Sequence, residues 1–84
     1  GVRLAPLAPG LPGHGEVEGV AVLEVAVDSV AARAGLRPGD VITAVNRRPV
    51  RTPRDVARAL AGAPGAVALT LWRDGRPLLL VLRS

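Results

Sequence analysis

The chain reads as a small α+β domain, β-rich with two helices, forming a partly open sandwich or barrel of five to six strands. Three observations carry that expectation. Short apolar runs, alternating or rich in β-branched residues, recur along the chain, at Val2–Leu4, Val20–Val27, Val41–Val45, Ala66–Trp72 and Pro77–Leu82. Two stretches, Ser29–Gly35 and Thr52–Gly62, carry the start and stop signals of short helices. Asp74-Gly75 separates the last two apolar runs, a strong hairpin signal.

Gly1 to Leu7, GVRLAPL, alternates apolar and polar positions and predicts a half-buried strand; Pro6 withdraws an amide, which suits an edge. Ala8 to Gly15, APGLPGHG, is a loop of prolines and glycines. Its glycines lack the spacing and the strand-loop-helix setting of a dinucleotide fingerprint. Glu16 to Val27 alternates early and turns apolar later, which predicts a central strand with Glu18-Gly19 as its entry and Glu24 facing solvent. Ser29 is placed to cap a helix over Val30–Ala34, and Gly35 to end it at positive φ. Leu36 then folds back onto the last turn. Pro38-Gly39 is a tight turn, Asp40 bonds local amides, Val41–Val45 is a strand, and Asn46 ends it in the left-handed region.

Arg47 to Thr52 is a basic connector. Thr52 and Pro53 read as cap and first residue of a helix over Pro53–Ala61, with Asp55 in the first turn and Gly62 and Pro64 beyond its end. Val56 and Ala59 fall on one face of that helix and point into the core. Pro53, Ala57, Leu60 and Ala61 share an adjoining face. Ala66–Trp72 and Pro77–Leu82 form a hairpin around Arg73–Arg76, with Trp72 a packing residue.

Composition bounds the function. Eighty-four residues make one domain, 1–84, with an almost purely aliphatic core, since Trp72 is the only aromatic residue. Cysteine is absent, which excludes disulfides and zinc–thiolate sites, and a single histidine, His14, cannot hold a metal alone. The net charge of +4 comes entirely from arginine, with no lysine. Neither an aromatic platform for bases nor a basic helical stripe accompanies it, so nucleic-acid binding is not expected. The longest apolar run, Leu78–Leu82, falls far short of the roughly 20 residues that a bilayer span requires, so no direct membrane insertion is expected.

Catalysis finds no residues to carry it. Serine occurs only at Ser29, a cap, and at Ser84; His14 has no nucleophile motif nearby; Asp28 and Asp40 belong to caps or turns. No catalytic residue, no metal site and no cofactor is expected.

The stretch Asp28–Val50, DSVAARAGLRPGDVITAVNRRPV, resembles a known family. AARAGLRPGDVITAVN followed by Pro49-Val50 is similar to the PDZ domains of bacterial HtrA/Deg-type serine proteases. The resemblance is specific, because several residues of special backbone geometry stand at fixed offsets. The family often has proline where this chain has Val27 and Val30, and glycine after the asparagine where it has Arg47. Those departures weaken two turns and leave the architecture intact. GVRLAPL and VNRRPV look most like the second of two such domains, with the protease domain N-terminal to this fragment.

The resemblance implies a peptide-binding module. In the family, a loop ending in glycine and a hydrophobic residue presents amides to a peptide's terminal carboxylate, and the strand after it pairs with the peptide. Gly1-Val2 matches the end of that loop, Arg3, Leu4 and Ala5 match the pairing strand, and Pro53, Ala57, Leu60 and Ala61 match the helical wall of the groove. The implied ligands end in an apolar residue such as Val, Leu or Phe and approach as an added strand. Arg3 and Arg58 would attract an acidic ligand weakly, by about 0–1 kcal/mol. The implied partners are C-termini of unfolded or misassembled envelope proteins, in the periplasm. Two alternatives stand beside this reading. One is an assembly module contacting a neighbouring protease subunit, motivated by the Arg47/Arg48/Arg51 cluster. The other is the same fold in a site-2 type protease or a secretion component.

Overall fold

The computed structural model describes residues 1–63 and 65–83, so Pro64 and Ser84 lie outside the described residues. The element order is β1 (Val2–Pro6), β2 (Val20–Val25), α1 (Val30–Ala34), β3 (Val41–Val45), β4 (Arg48–Pro49), α2 (Pro53–Ala61), β5 (Val67–Arg73) and β6 (Arg76–Leu82). The six strands form one antiparallel sheet in the order β1-β2-β3-β5-β6, with β4 paired to β3. Helix α1 packs on β6, and α2 packs on β1 and β3.

The expected architecture is observed, and the local signals act where they were read. Ser29 Oγ accepts from the Ala32 N–H at 3.1 Å. Gly35, at φ 105°, and Leu36 donate to the carbonyls of Ala32 and Ala31, which closes α1 in a Schellman motif and buries Leu36. At α2, Thr52 Oγ1 accepts from the Asp55 N–H at 3.1 Å while the Asp55 carboxylate accepts from the Thr52 and Arg51 N–H groups, a full capping box. These bonds, that of Arg51 foremost, hold the Asp55 carboxyl below its ordinary range. Asp74 and Gly75, at φ 50° and 81°, make the expected hairpin turn.

Several boundaries differ from expectation. The second strand starts at Val20, right after the expected Glu18-Gly19 entry, but ends at Val25, short of Val27. Residues 11–17 close successive turns on the carbonyls of Leu11 and Gly13, with Gly13 and Gly15 at positive φ. At the other end the chain turns at Asp28, φ 64°, leaving Val27 exposed. Helix α2, by contrast, spans Pro53–Ala61 as expected, with Gly62 at φ −90° ending it. Ala66 precedes β5, and Arg73 and Arg76 extend the hairpin strands.

The core gathers Val20 and Val22 of β2, Ile42 and Val45 of β3, and Val67, Leu69 and Leu71 of β5. Ala31 and Val56 come from the helices, and Leu36 and Val50 from connections. Each Val or Leu so buried contributes about 1.5–3 kcal/mol. The 8–15 loop covers the opposite face of the sheet. There Gly13 lies so close to Val41 and Trp72 that a Cβ would stand 3.0–3.1 Å from both. Trp72 is therefore a packing residue, as expected.

One buried contact joins distant parts. Asp40, only 2% exposed, accepts from the Arg37 N–H at 2.9 Å, the expected local bond. Its two oxygens also accept from Arg73 Nε at 2.7 Å and from a terminal guanidinium nitrogen at 2.6 Å. The same nitrogen donates to the Gly35 carbonyl at 2.7 Å, so Arg73 ties β5 to the end of α1. Asn46 links β3 to β5 similarly, exchanging backbone and side-chain bonds with Ala68.

Candidate functional site

β1 is the terminal strand of the sheet: it pairs with β2 on one side only, from Val2↔Val25 to Pro6↔Val20. Its other side is an open edge of main-chain donors and acceptors. A register shift between Arg3 and Leu4 is absorbed by Leu23 of β2, which has no partner across the ladder. Alternation along β1 separates its side chains. Leu4 packs against the core, and Val2, 38% exposed, shares its face. Arg3 and Ala5 lie on the other face, where Arg3 meets Glu24 at 3.2 Å across the strands. Arg3 and Ala5 thus offer the open edge their backbone rather than their side chains.

Helix α2 packs beside this strand because Val56 is fully buried and Ala59 packs on the core. That anchoring leaves Ala57, Leu60 and Ala61 exposed, with Pro53 half-buried, on the adjoining face. Leu60 is 39% exposed. The exposed face of this helix, next to the strand edge, is mostly alanine. A Cβ on Gly1 would lie 3.0 Å from the Ser29 Cβ, so the start of β1 abuts the cap of α1.

The far end of β1 opens into a cleft that sequence reasoning did not mark. It has a volume of about 440 Å³ and is walled by Pro6 and Leu7, by the 14–19 segment, and by Arg51. Arg51, from the expected basic connector, meets Glu18 at 2.9 Å with both side chains mostly exposed. The only sequence signal for this cleft was the glutamates at 16 and 18, which had been read as the lead-in to the second strand.

Among the described residues, no group of three or more His, Cys, Asp or Glu side chains is placed to hold a metal ion. Among them, too, no helix is long and apolar enough to cross a membrane.

Comparison with known proteins matches residues 22–73 to the family model described as PDZ domain. The DegP-like periplasmic serine endoprotease of Rhizobium meliloti (strain 1021) is 41% identical over 81 residues, 90% of this chain and 16% of the relative. The corresponding protein of Brucella suis biovar 1 is 43% identical over the same share of each. The chain thus spans about a sixth of the length of these curated relatives. Among solved structures, the HtrA3 PDZ domain bound to a phage-derived ligand, FGRWV, superposes with a TM-score of 0.85. It is 31% identical, and the match covers 99% of this chain and 80% of that one. The HtrA-type protease AlgW with a decapeptide gives a TM-score of 0.81 at 30% identity, covering 99% of this chain and 27% of that one.

Proposed function

This chain belongs to the PDZ domain family, in the branch carried by HtrA/Deg-type serine endoproteases, and on that premise we propose that it captures peptide C-termini by strand addition to β1. The observation that carries the proposal is the open edge of β1 beside the exposed alanine face of α2. A peptide laid along that edge gains main-chain bonds without regard to its sequence. Its terminal carboxylate meets the amides at Gly1-Val2, and its last side chain enters the groove between Val2, Leu4 and the face formed by Ala57, Leu60 and Ala61. Small alanines leave room for an apolar residue there. The ligand held by the HtrA3 PDZ domain ends in valine, which supports that preference. Binding of this kind reaches about micromolar strength, near −8 kcal/mol.

The domain itself is a binding module, not the catalytic unit. In our reading it serves a periplasmic endoprotease, delivering or sensing exposed C-termini of unfolded or misassembled envelope proteins. The names of the relatives support the compartment and the protease. A second reading, contact with a neighbouring subunit, is favoured by one observation: Leu79 and Val81 are exposed on β6, the other terminal strand.

An NMR titration with peptides ending in valine, beside amidated controls, tests the first reading. The expected result is shifts along Val2–Leu7 and Pro53–Ala61 that vanish on amidation. In the variant Ala57→Trp, whose new side chain fills the groove from an exposed position, those shifts disappear while stability changes by less than about 0.5 kcal/mol. No shifts in the parent chain at millimolar peptide overturn the reading, and shifts confined to β6 favour the second.

A further inference from the structure

We propose that the free edge of β6 pairs with the same edge of a second copy of this chain, antiparallel and centred on Leu80, so that two sheets join into one. The inference rests on the second reading above, contact through β6, and names the partner.

The two terminal strands differ in how they are protected. β1 carries the usual safeguards of an edge: five residues only, a register shift, a proline and the exposed Arg3–Glu24 pair. β6 has seven residues in unbroken register with β5, from Arg73↔Arg76 to Val67↔Leu82. Pro77 stands near its start, and from Leu78 to Leu82 every position is apolar. A long, regular, uncharged edge is a template for another strand.

Both faces of β6 are unfinished. On the outer face Leu79 is 62% and Val81 47% exposed. Their cross-strand neighbours, Thr70 and Ala68, are half-buried and uncharged. On the other face Leu78, Leu80 and Leu82 pack against the core yet stay half-buried, because the sheet ends there.

A second copy completes both faces at once. Pairing centred on Leu80 sets Leu79 of each copy opposite Val81 of the other, and Leu78 opposite Leu82. Residues directly opposite in an antiparallel pair share a face, so the outer-face side chains form one cluster and the core-face leucines another. The two-fold axis makes each of these contacts occur twice. Arg76 and Arg83, both exposed, bracket the apolar run. In this register Arg76 of one copy and Arg83 of the other meet at the same end, so salt strengthens the pairing by screening them.

One strand pair buries less than the roughly 1,200 Å² of a standard interface, so the dissociation constant is expected on the order of 100 µM. Sedimentation of the 84-residue chain from about 20 µM to about 2 mM should show monomer passing to dimer, more readily at high salt, with amide shifts along Leu78–Leu82 and on β5. Leu79→Lys/Val81→Lys and Leu79→Glu/Val81→Glu, at exposed positions, should each remain monomeric. Their equimolar mixture should associate, and salt should weaken that association. Association that persists in either variant alone, or that shifts β1 and α2 instead of β6, overturns the self-pairing. So does a parent chain that is monomeric to about 2 mM. A monomeric chain whose β6 is shifted by added peptide leaves the second reading standing with another partner, and a β6 that moves in neither experiment overturns both. The peptide-capture reading is tested apart from these, by valine-ended peptides on Leu79→Lys/Val81→Lys, where shifts on β1 and α2 should persist.

Discussion

Replacing Arg73 with methionine should be the most damaging single change outside the aliphatic core. Methionine keeps much of the stem but removes every donor to Asp40. The Asp40 carboxylate, 2% exposed, then keeps one bond, from the Arg37 N–H, and loses its charge partner. Breaking a buried ion pair in this way costs about 3–5 kcal/mol. Arg73 itself is 21% exposed, so the lower end applies. Losing the bond to the Gly35 carbonyl adds about 0.5–1.5 kcal/mol. The sum, about 4 kcal/mol, is a large share of the 4–13 kcal/mol or so expected for a domain of this size. Urea unfolding followed by fluorescence of Trp72, the neighbouring residue and sole tryptophan, reads the effect directly. With a slope of about 1 kcal/mol per molar, the midpoint should fall by several molar or the variant should be unfolded in water. Replacing both partners, Asp40→Leu with Arg73→Met, removes the stranded charge and should recover much of the loss. A loss under about 1 kcal/mol for Arg73→Met, or a double variant as damaged as the two singles added together, would refute the reasoning.

Three further outcomes follow from local geometry. Asp55 has a lowered carboxyl pKa, so its capping contribution is present above the ordinary value of 3.8 and is lost as pH falls through the folded value. The melting temperature of Asp55→Asn should therefore lie below that of the parent at neutral pH and converge with it in acid; a pH-independent gap would contradict the sign. Gly13→Ala combines positive φ with contacts of 3.0–3.1 Å to Val41 and Trp72, whereas Gly39→Ala carries the strain alone, with nothing within 4 Å. Thermal unfolding should show about 1 kcal/mol lost at Gly39 and clearly more at Gly13, with Trp72 emission altered only at Gly13. Arg47 sits at φ 67°, where a Cβ is strained, so Arg47→Gly should raise stability by about 1 kcal/mol in the same assay.

The amino-acid sequence by itself determined what depends on residues a few positions apart. The caps at Ser29 and Thr52, the glycine stop at Gly35 and the Asp74-Gly75 hairpin turn are each set by bonds or φ angles within about one turn. Such interactions leave their signature in adjacent letters. The proposed peptide-binding residues have a different source: the AARAGLRPGDVITAVN stretch resembles a family, and the family supplies the offset positions on β1 and α2. Period alone placed Leu60 on a face but gave no means of telling core from opening. Only packing decided that, by burying Val56 and Ala59 and leaving Ala57, Leu60 and Ala61 uncovered.

Tertiary structure alone decided the contacts between distant residues. Asp40 meets Arg73 across 33 positions, and Arg51, between β4 and α2, meets Glu18 of the β1–β2 connection. The second strand enters where expected, after Glu18-Gly19, but stops at Val25 short of Val27, because the chain turns at Asp28, while turns bonded to Leu11 and Gly13 shape the 11–17 segment before it. Chain spacing carries no information on which arginine reaches which carboxylate, since loop closure costs little more for a long loop than for a short one. That choice falls to the packing of the sheet and its helices, which sets the buried clamp and the charged cleft at the end of β1.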